Sequence, residues 1–103
     1  MLLIRDIMYC KPGKVRPMVD KFLAMSKLMQ KAGMGKMRVS TDLSAERYWT
    51  VVGEMEAPSM EAFDKMTRGE DLSSEVNKEF ESIMKGYHDL VEYGRREIYK
   101  VEG

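Results

Sequence analysis

The stretch from Arg47 to Met55 reads RYWTVVGEM and is the clearest strand signal in the chain. Aromatic and β-branched residues are enriched in strands because their side chains pack well on a pleated sheet. Just before it, residues 36–43 alternate between apolar and polar side chains, which also predicts a strand. Turn-forming residues lie between Asp42 and Glu46, so the two segments together predict a β-hairpin.

Helical and extended patterns follow one another on both sides of this hairpin. We predict strands over residues 2–11 and 93–101, a helix over residues 14–32, and a helical region from Pro58 to Tyr87 that Gly69 interrupts. The second part of that region is expected to begin near Asp71, with Phe80 at the centre of its apolar stripe and therefore in the core. The order β, α, β, β, α, β predicts an α+β, ferredoxin-like fold with a four-stranded antiparallel sheet. No linker or repeat divides the chain, so we expect residues 1–103 to form a single domain.

The composition argues against several functional classes. Lys plus Arg and Asp plus Glu both total 17, and the resulting zero net charge is atypical of nucleic-acid binders. No apolar stretch approaches the roughly 20 residues of a membrane helix, so no membrane partner is expected. Cys10 is the only cysteine, which rules out an internal disulfide and favours a cytoplasmic protein.

The predicted sheet needs a partner on one side. In the ferredoxin-like plan both helical layers cover the same face, yet the strands carry apolar residues on both faces. An apolar face of that size is atypical of a free surface. A second copy of the chain would cover it through one twofold interface, so we expect a homodimer.

Charged residues lie inside the predicted strands. Arg5 and Asp6 are in the middle of an expected central strand, and Glu54 is near the end of the hairpin's second strand. Such groups are rarely buried unless they are paired or serve a site. Two interpretations stay open: a polar lining in an otherwise apolar pocket, or an inter-subunit or cross-strand ion pair, for example of Arg5 with Glu54 or Glu97.

Three segments resemble a known superfamily: CKPGK at residues 10–14, YWTVVGE at 48–54 and GRREIY at 94–99. They are similar to the dimeric α+β barrels, in particular the NIPSNAP-like proteins and the antibiotic biosynthesis monooxygenases. The resemblance implies a homodimer whose sheets form a barrel, with a pocket between sheet and helices in each subunit. In this superfamily the pocket holds polyketide-like aromatics or haem, or has no known ligand.

Strand alternation suggests which residues face that barrel. Arg5 and Tyr9 lie on the same side of the first strand, whereas the other side, interrupted only by Asp6, is the better candidate for packing on the helices. We expect Arg5 and Tyr9 to point into the barrel with Tyr48 or Trp49 nearby. A cationic group with aromatic walls suits a phenolate, an enolate or a carboxylate on a flat ring. The candidate ligand-binding residues are therefore Arg5, Tyr9, Tyr48, Trp49 and Glu54.

Catalytic candidates are few. Haem-degrading members of the superfamily use an Asn on the first strand, a Trp and a His on the late helix. Trp49 and His88 are present, but His88 is expected at the end of its helix and not within it. The first strand has no Asn, and Asn77 is the only one in the chain. His88 is the one side chain with an ordinary pKa near neutrality, so it is the candidate acid–base residue. The alternative is a polar residue that finishes a helix, where the helix dipole favours it.

No metal site or cofactor is predicted. A metal site needs several converging ligands, and the chain has only one His and one Cys, with no CxxC or HxxxH spacing. The glycine-rich stretch from Gly33 to Lys36 follows a helix, so it lacks the N-terminal amides that bind phosphate and is interpreted as a turn. The 11 methionines suit core filling better than an adaptable surface for a ligand or partner.

The resulting hypothesis is a homodimeric barrel with a small pocket for an apolar or aromatic metabolite. Its enzymatic form would be a cofactor-independent oxygenase, in which the protein supplies positioning and a base. The alternative is a non-catalytic protein that binds a ligand or supports an assembly. The sequence leaves open whether the protein is an enzyme.

Overall fold

The computed structural model describes residues 1–70 and 72–103, and its elements follow the predicted order. Asp71, where the second late helix was expected to begin, lies outside the described residues. The fold is α+β and ferredoxin-like. The elements are β1 (Leu2–Cys10), α1 (Val15–Lys31), β2 (Arg38–Thr41), β3 (Thr50–Ala57), α2 (Met60–Arg68), α3 (Ser74–Met84), a 3-10 turn (Tyr87–Asp89) and β4 (Val91–Lys100).

The four strands form one antiparallel sheet in the order β2-β3-β1-β4. β1 is therefore a central strand, as expected for the strand that carries Arg5 and Asp6. The predicted hairpin is confirmed, since β2 pairs with β3 and Thr41 lies opposite Val51. No helix in the described ranges is long and apolar enough to cross a bilayer.

The second strand of the hairpin begins later than predicted. Its first residue is Thr50, so Tyr48 and Trp49 lie in the loop between β2 and β3. Thr50 fixes this boundary, because its backbone N–H donates to Asp42 Oδ1 at 2.9 Å and its hydroxyl donates to the Arg47 carbonyl at 2.8 Å. Trp49 has φ of 63°, a left-handed conformation that a strand excludes.

The ends of the helices carry residues typical of helix caps. Ser59 caps α2, with its hydroxyl accepting from the Ala62 N–H at 3.1 Å. Gly33 follows α1 with φ of 74°, and the Met34 N–H donates back to the Met29 carbonyl at 2.8 Å. A residue without Cβ adopts this left-handed turn without strain, which is why glycine so often follows a helix.

The core lies between the helices and the inner face of the sheet. Ile4, Met18 and Val51 are fully buried there. A buried serine links α1 to the chain before β2: the Ser26 hydroxyl donates to the Met37 carbonyl at 2.7 Å and accepts from its N–H at 3.2 Å. Both backbone groups of Met37 are thereby satisfied away from water.

Cys10 ends β1 within this core. Its side chain is buried, and its backbone N–H donates to the Trp49 carbonyl at 2.8 Å. Burial raises the pKa of the Cys10 thiol, because a low-dielectric environment disfavours the charged thiolate.

The late helix is less buried than its pattern predicts. No residue of α3 is fully buried, and Phe80, expected in the core, is only half-buried. α3 packs against α1, where the Lys21 ammonium donates to the carbonyls of Ile83 at 3.0 Å and Lys85 at 2.7 Å. Phe80 and Met84 pack against the edge of the core, and Phe80 also lines a cavity above the sheet.

The outer face of the sheet, which the helices leave uncovered and which we call the open face, combines apolar and charged side chains. Alternation places Arg5 and Tyr9 there together, as predicted. Arg5 lies between two carboxylates, with its Nε 3.3 Å from Glu54 Oε2 and its Nη1 3.5 Å from Glu97 Oε1. The cross-strand form of the ion-pair interpretation of Arg5 is thus confirmed with both predicted partners.

Further polar contacts extend this network across the open face. The Arg95 guanidinium donates to the Tyr9 hydroxyl at 3.0 Å and also pairs with Glu97. The Tyr99 hydroxyl donates to Glu97 at 2.8 Å. The Tyr99 hydrogen bond, together with Arg95, holds the pKa of Glu97 below its ordinary value, because both contacts favour the ionised carboxylate. The open face is consequently more polar than the strand pattern suggested.

Candidate functional site

A cavity of about 540 Å³ lies between the inner face of the sheet and the helices. We call it the inner cavity. Its walls come from α1, from the turn that follows it, and from α2 and α3, while β3 contributes to the floor. The apolar residues that line it are Met25, Met29, Met34, Met55, Phe63, Met66, Leu72 and Phe80. Methionine is unbranched and polarizable, so such walls adapt to ligands of irregular shape.

An ion pair lies on the floor of the inner cavity. Asp6 and Arg96 are directly opposite each other in the β1–β4 register and both project to the helix side. Arg96 Nε is 2.5 Å from Asp6 Oδ1, and Nη2 is 3.4 Å from Oδ2. The guanidinium also lies over the Phe63 ring, 5.0 Å from its centroid, in a cation–π contact. These three contacts hold the guanidinium in one orientation.

The mouth of the inner cavity carries other polar groups. Arg68 pairs with Asp64 at 3.0 Å and with Glu70 at 3.6 Å. The Asn77 amide donates to the Gly69 carbonyl at 3.3 Å, which ties α3 to the end of α2. Among the described residues, Arg68 therefore pairs with two carboxylates and Arg96 with one.

A second, outer cavity of about 480 Å³ lies on the other side of the ion pair. Asp6 and Arg96 line both cavities, so the pair forms the partition between them. The lining of the outer cavity includes His88 and Glu92. His88 belongs to the 3-10 turn, is exposed, and stacks on the Tyr87 ring at 4.0 Å. The candidate acid–base residue thus borders a cavity next to the ion pair.

The other candidate residues lie elsewhere. Arg5, Tyr9 and Glu54 share the open face, on the side of the sheet away from the inner cavity. Arg47, which sequence reasoning did not single out, lies 4.8 Å above the Tyr9 ring.

Tyr48 and Trp49 line a third, shallow cavity of about 380 Å³ with Val15, Thr41 and Asp42. The structure thus brings Arg5 together with Glu54 and divides the five ligand-binding candidates between two locations. Their role in binding stays a prediction.

Sequence reasoning missed the ion pair on the cavity floor. One signal was present: Asp6 is the only charged residue on the apolar side of β1. Its partner was harder to find, because Arg95 and Arg96 are adjacent and only the register decides which of them faces Asp6. No three His, Cys, Asp or Glu side chains converge as a metal-binding group within residues 1–70 and 72–103.

Comparisons with known proteins agree with this architecture. No family model matches the chain, and no curated protein matches its sequence. An uncharacterized NIPSNAP domain protein from Burkholderia xenovorans is 16% identical with a TM-score of 0.67, covering 99% of this chain and 95% of its own. A NIPSNAP-like domain protein from the same organism is 13% identical with a TM-score of 0.75, covering 98% of this chain and 84% of its own.

A candidate antibiotic biosynthesis monooxygenase from Deinococcus radiodurans has the same fold. It is 10% identical with a TM-score of 0.68, covering 100% of this chain and 94% of its own. The predicted resemblance to NIPSNAP-like and monooxygenase-like proteins is confirmed at the level of the fold. The chain is therefore an α+β protein with the architecture of these two groups and a cavity between its sheet and helices.

Proposed function

We propose that the protein binds a small apolar or aromatic molecule in the inner cavity, and does so as a homodimer whose open faces meet. The observation that carries the proposal is a space of about 540 Å³ whose apolar lining is mostly Met and Phe and whose floor holds the Asp6–Arg96 ion pair. Ligand sites are typically apolar cavities of this size with a few polar groups that orient the ligand.

The residues of this site are positioned by the inner side of the sheet and by the helices, and the open face contributes none of them. Asp6 and Arg96 are fixed by strand register, and Phe63 by α2. The chain's own ion pair satisfies the charges in the absence of a ligand, so the cavity remains compatible with a stable fold.

Fluorescence titration with pyrenemethanol, a neutral aromatic probe, tests the proposal. Met66→Trp fills the inner cavity from α2 and should weaken probe binding by about tenfold, since it removes room for the ligand. Met60→Trp is the matched control, because Met60 is exposed on the same helix and outside the cavity. Equal binding by both variants would place the ligand elsewhere.

Arg5→Met distinguishes the two candidate locations in the same titration. Arg5 lies on the opposite face of β1 from Asp6, so binding in the inner cavity should be unchanged. Loss of probe binding in this variant, with Met66→Trp unaffected, would support the site predicted from the sequence around Arg5, Tyr9 and Glu54.

A cofactor-independent oxygenase is the enzymatic form of this proposal. Two observations favour it: His88 borders the outer cavity beside Asp6, and one protein of the same fold is a candidate monooxygenase. Oxygen consumption with a phenolic substrate, compared between the wild type and His88→Gln, tests this form. Turnover that persists in His88→Gln would exclude His88 as the base. An absence of turnover in the wild type would contradict the oxygenase form and leave the proposal of ligand binding.

A further inference from the structure

We infer that the ligand is an amphipathic monocarboxylate, whose apolar body occupies the inner cavity and whose carboxylate binds Arg96. This inference rests on the proposed function and specifies its ligand class. It follows from the position of Arg96 where two cavities meet and from the donors that Asp6 leaves unused.

The two cavities meet at one residue pair, Asp6 and Arg96. The apolar residues of the inner cavity are mostly Met and Phe, whereas the outer cavity brings Tyr87, His88 and Tyr93 close to the pair. A molecule that reaches from one into the other would place an apolar body against the methionines and a polar end at the partition. That end would lie beside Arg96.

The Arg96 guanidinium retains donors for such a polar end. Asp6 accepts from Nε and Nη2, the second contact being long at 3.4 Å. Nη1 has no hydrogen-bond acceptor within the described part of the chain. A guanidinium has five N–H donors arranged as a planar fork, so a second carboxylate has an edge to bind. Arg96 is 47% exposed against 19% for Asp6, which leaves that edge accessible.

The neighbouring cations are less available. Arg68 at the mouth of the inner cavity is paired with Asp64 and Glu70. Arg95 donates to Tyr9 and Glu97 on the open face. Arg96 is therefore the guanidinium best placed to accept an added anion.

The charge around the partition favours a single negative charge on the ligand. Among the described residues, the inner cavity is bordered by two carboxylates, Asp6 and Glu81, and by two guanidiniums, Arg68 and Arg96. A phosphate would bring up to two charges next to Asp6, and the described lining of this cavity holds no further unpaired cation to balance them. A carboxylate brings one and matches the planar geometry of the guanidinium.

Pyrenebutanoic acid and its methyl ester test the inference, because they share the apolar body and differ in charge. We expect the wild type to bind the acid about tenfold more tightly than the ester, the difference that a charge-assisted hydrogen bond typically makes. Arg96→Met should abolish this preference while it retains ester binding. Arg68→Met is the matched control, a cation removed from the same cavity, and should keep the preference.

The single variant Arg96→Met leaves Asp6 unpaired and could misfold for that reason. The double variant Asp6→Asn with Arg96→Gln is therefore a second test. It removes both charges together and leaves no unpaired carboxylate, and it should also bind acid and ester equally. Equal binding of acid and ester by the wild type, or a preference that survives in the double variant, would overturn the inference. Failure of both probes to bind any variant would instead contradict the proposed function.

Discussion

Ser26 shows how one side chain joins two elements. Its hydroxyl serves both backbone groups of Met37 in a buried position. We predict that Ser26→Ala lowers the free energy of unfolding by about 1–3 kcal/mol, because it leaves a buried N–H and a buried carbonyl without partners. Urea denaturation followed by circular dichroism measures this change.

Ser40→Ala is the control for that experiment. Ser40 is exposed on β2, so its substitution should change stability by less than about 0.5 kcal/mol. Similar losses in the two variants would mean that the Ser26 hydrogen bonds contribute little beyond ordinary surface effects.

Residue positions were predictable from sequence where they depend on local geometry. Arg5 and Tyr9 share a face because successive side chains alternate along any strand. Trp49 was wrongly predicted to lie in a strand. It has a left-handed conformation in the loop before β3, and the hydrogen bond between Asp42 and Thr50 closes that loop. The Asp6–Arg96 pair joins residues separated by 90 positions, and no local pattern predicts such a register.

At the scale of elements, the attachment of α3 depends on a lysine from another helix. Lys21 of α1 donates to two carbonyls at the C-terminal end of α3, a position where a cation is favoured. We predict that Lys21→Met costs about 1 kcal/mol and speeds amide hydrogen exchange across residues 78–84. Exchange measured by mass spectrometry after proteolysis would locate the change.

Lys27→Met provides the comparison for Lys21→Met. Lys27 is exposed on the same helix, so its substitution should leave amide exchange in α3 unchanged. Amide exchange in α3 that is as slow in Lys21→Met as in the wild type would show that packing alone holds the helix in place.

The existence of α3 was predictable, whereas the cavity that it lines was not. An apolar stripe at helical spacing identifies a helix and the side that it buries. The stripe does not reveal whether that side meets other side chains or an open space. Phe80 is half-buried for this reason: it forms part of a cavity wall, and its pattern is the same as that of a core residue.

At the scale of the whole molecule, the open face carries the prediction of a dimer. Half-buried apolar residues such as Leu3 and Val52 lie there among the ion pairs. Sedimentation equilibrium at micromolar concentration should give twice the mass of one chain. Val52→Asp should shift the equilibrium to monomer, because a second copy would bury the new carboxylate beside Glu54 and Glu56.

Leu43→Asp tests whether any added charge has the same effect. Leu43 is fully exposed in the loop between β2 and β3, away from the strands that form the open face, so this variant should remain dimeric. A monomeric wild type at micromolar concentration would contradict the barrel arrangement.

The single buried cysteine at the end of β1 lets chemical labelling report how often this end of the strand opens. Alkylating reagents react with thiolates, and the raised pKa of Cys10 together with its burial suppresses that form while the sheet is closed. Modification then waits for a fluctuation that detaches the strand end from Trp49. With one cysteine in the chain, every labelling event reports the same local fluctuation, so the rate of labelling gives its free energy without an introduced reporter.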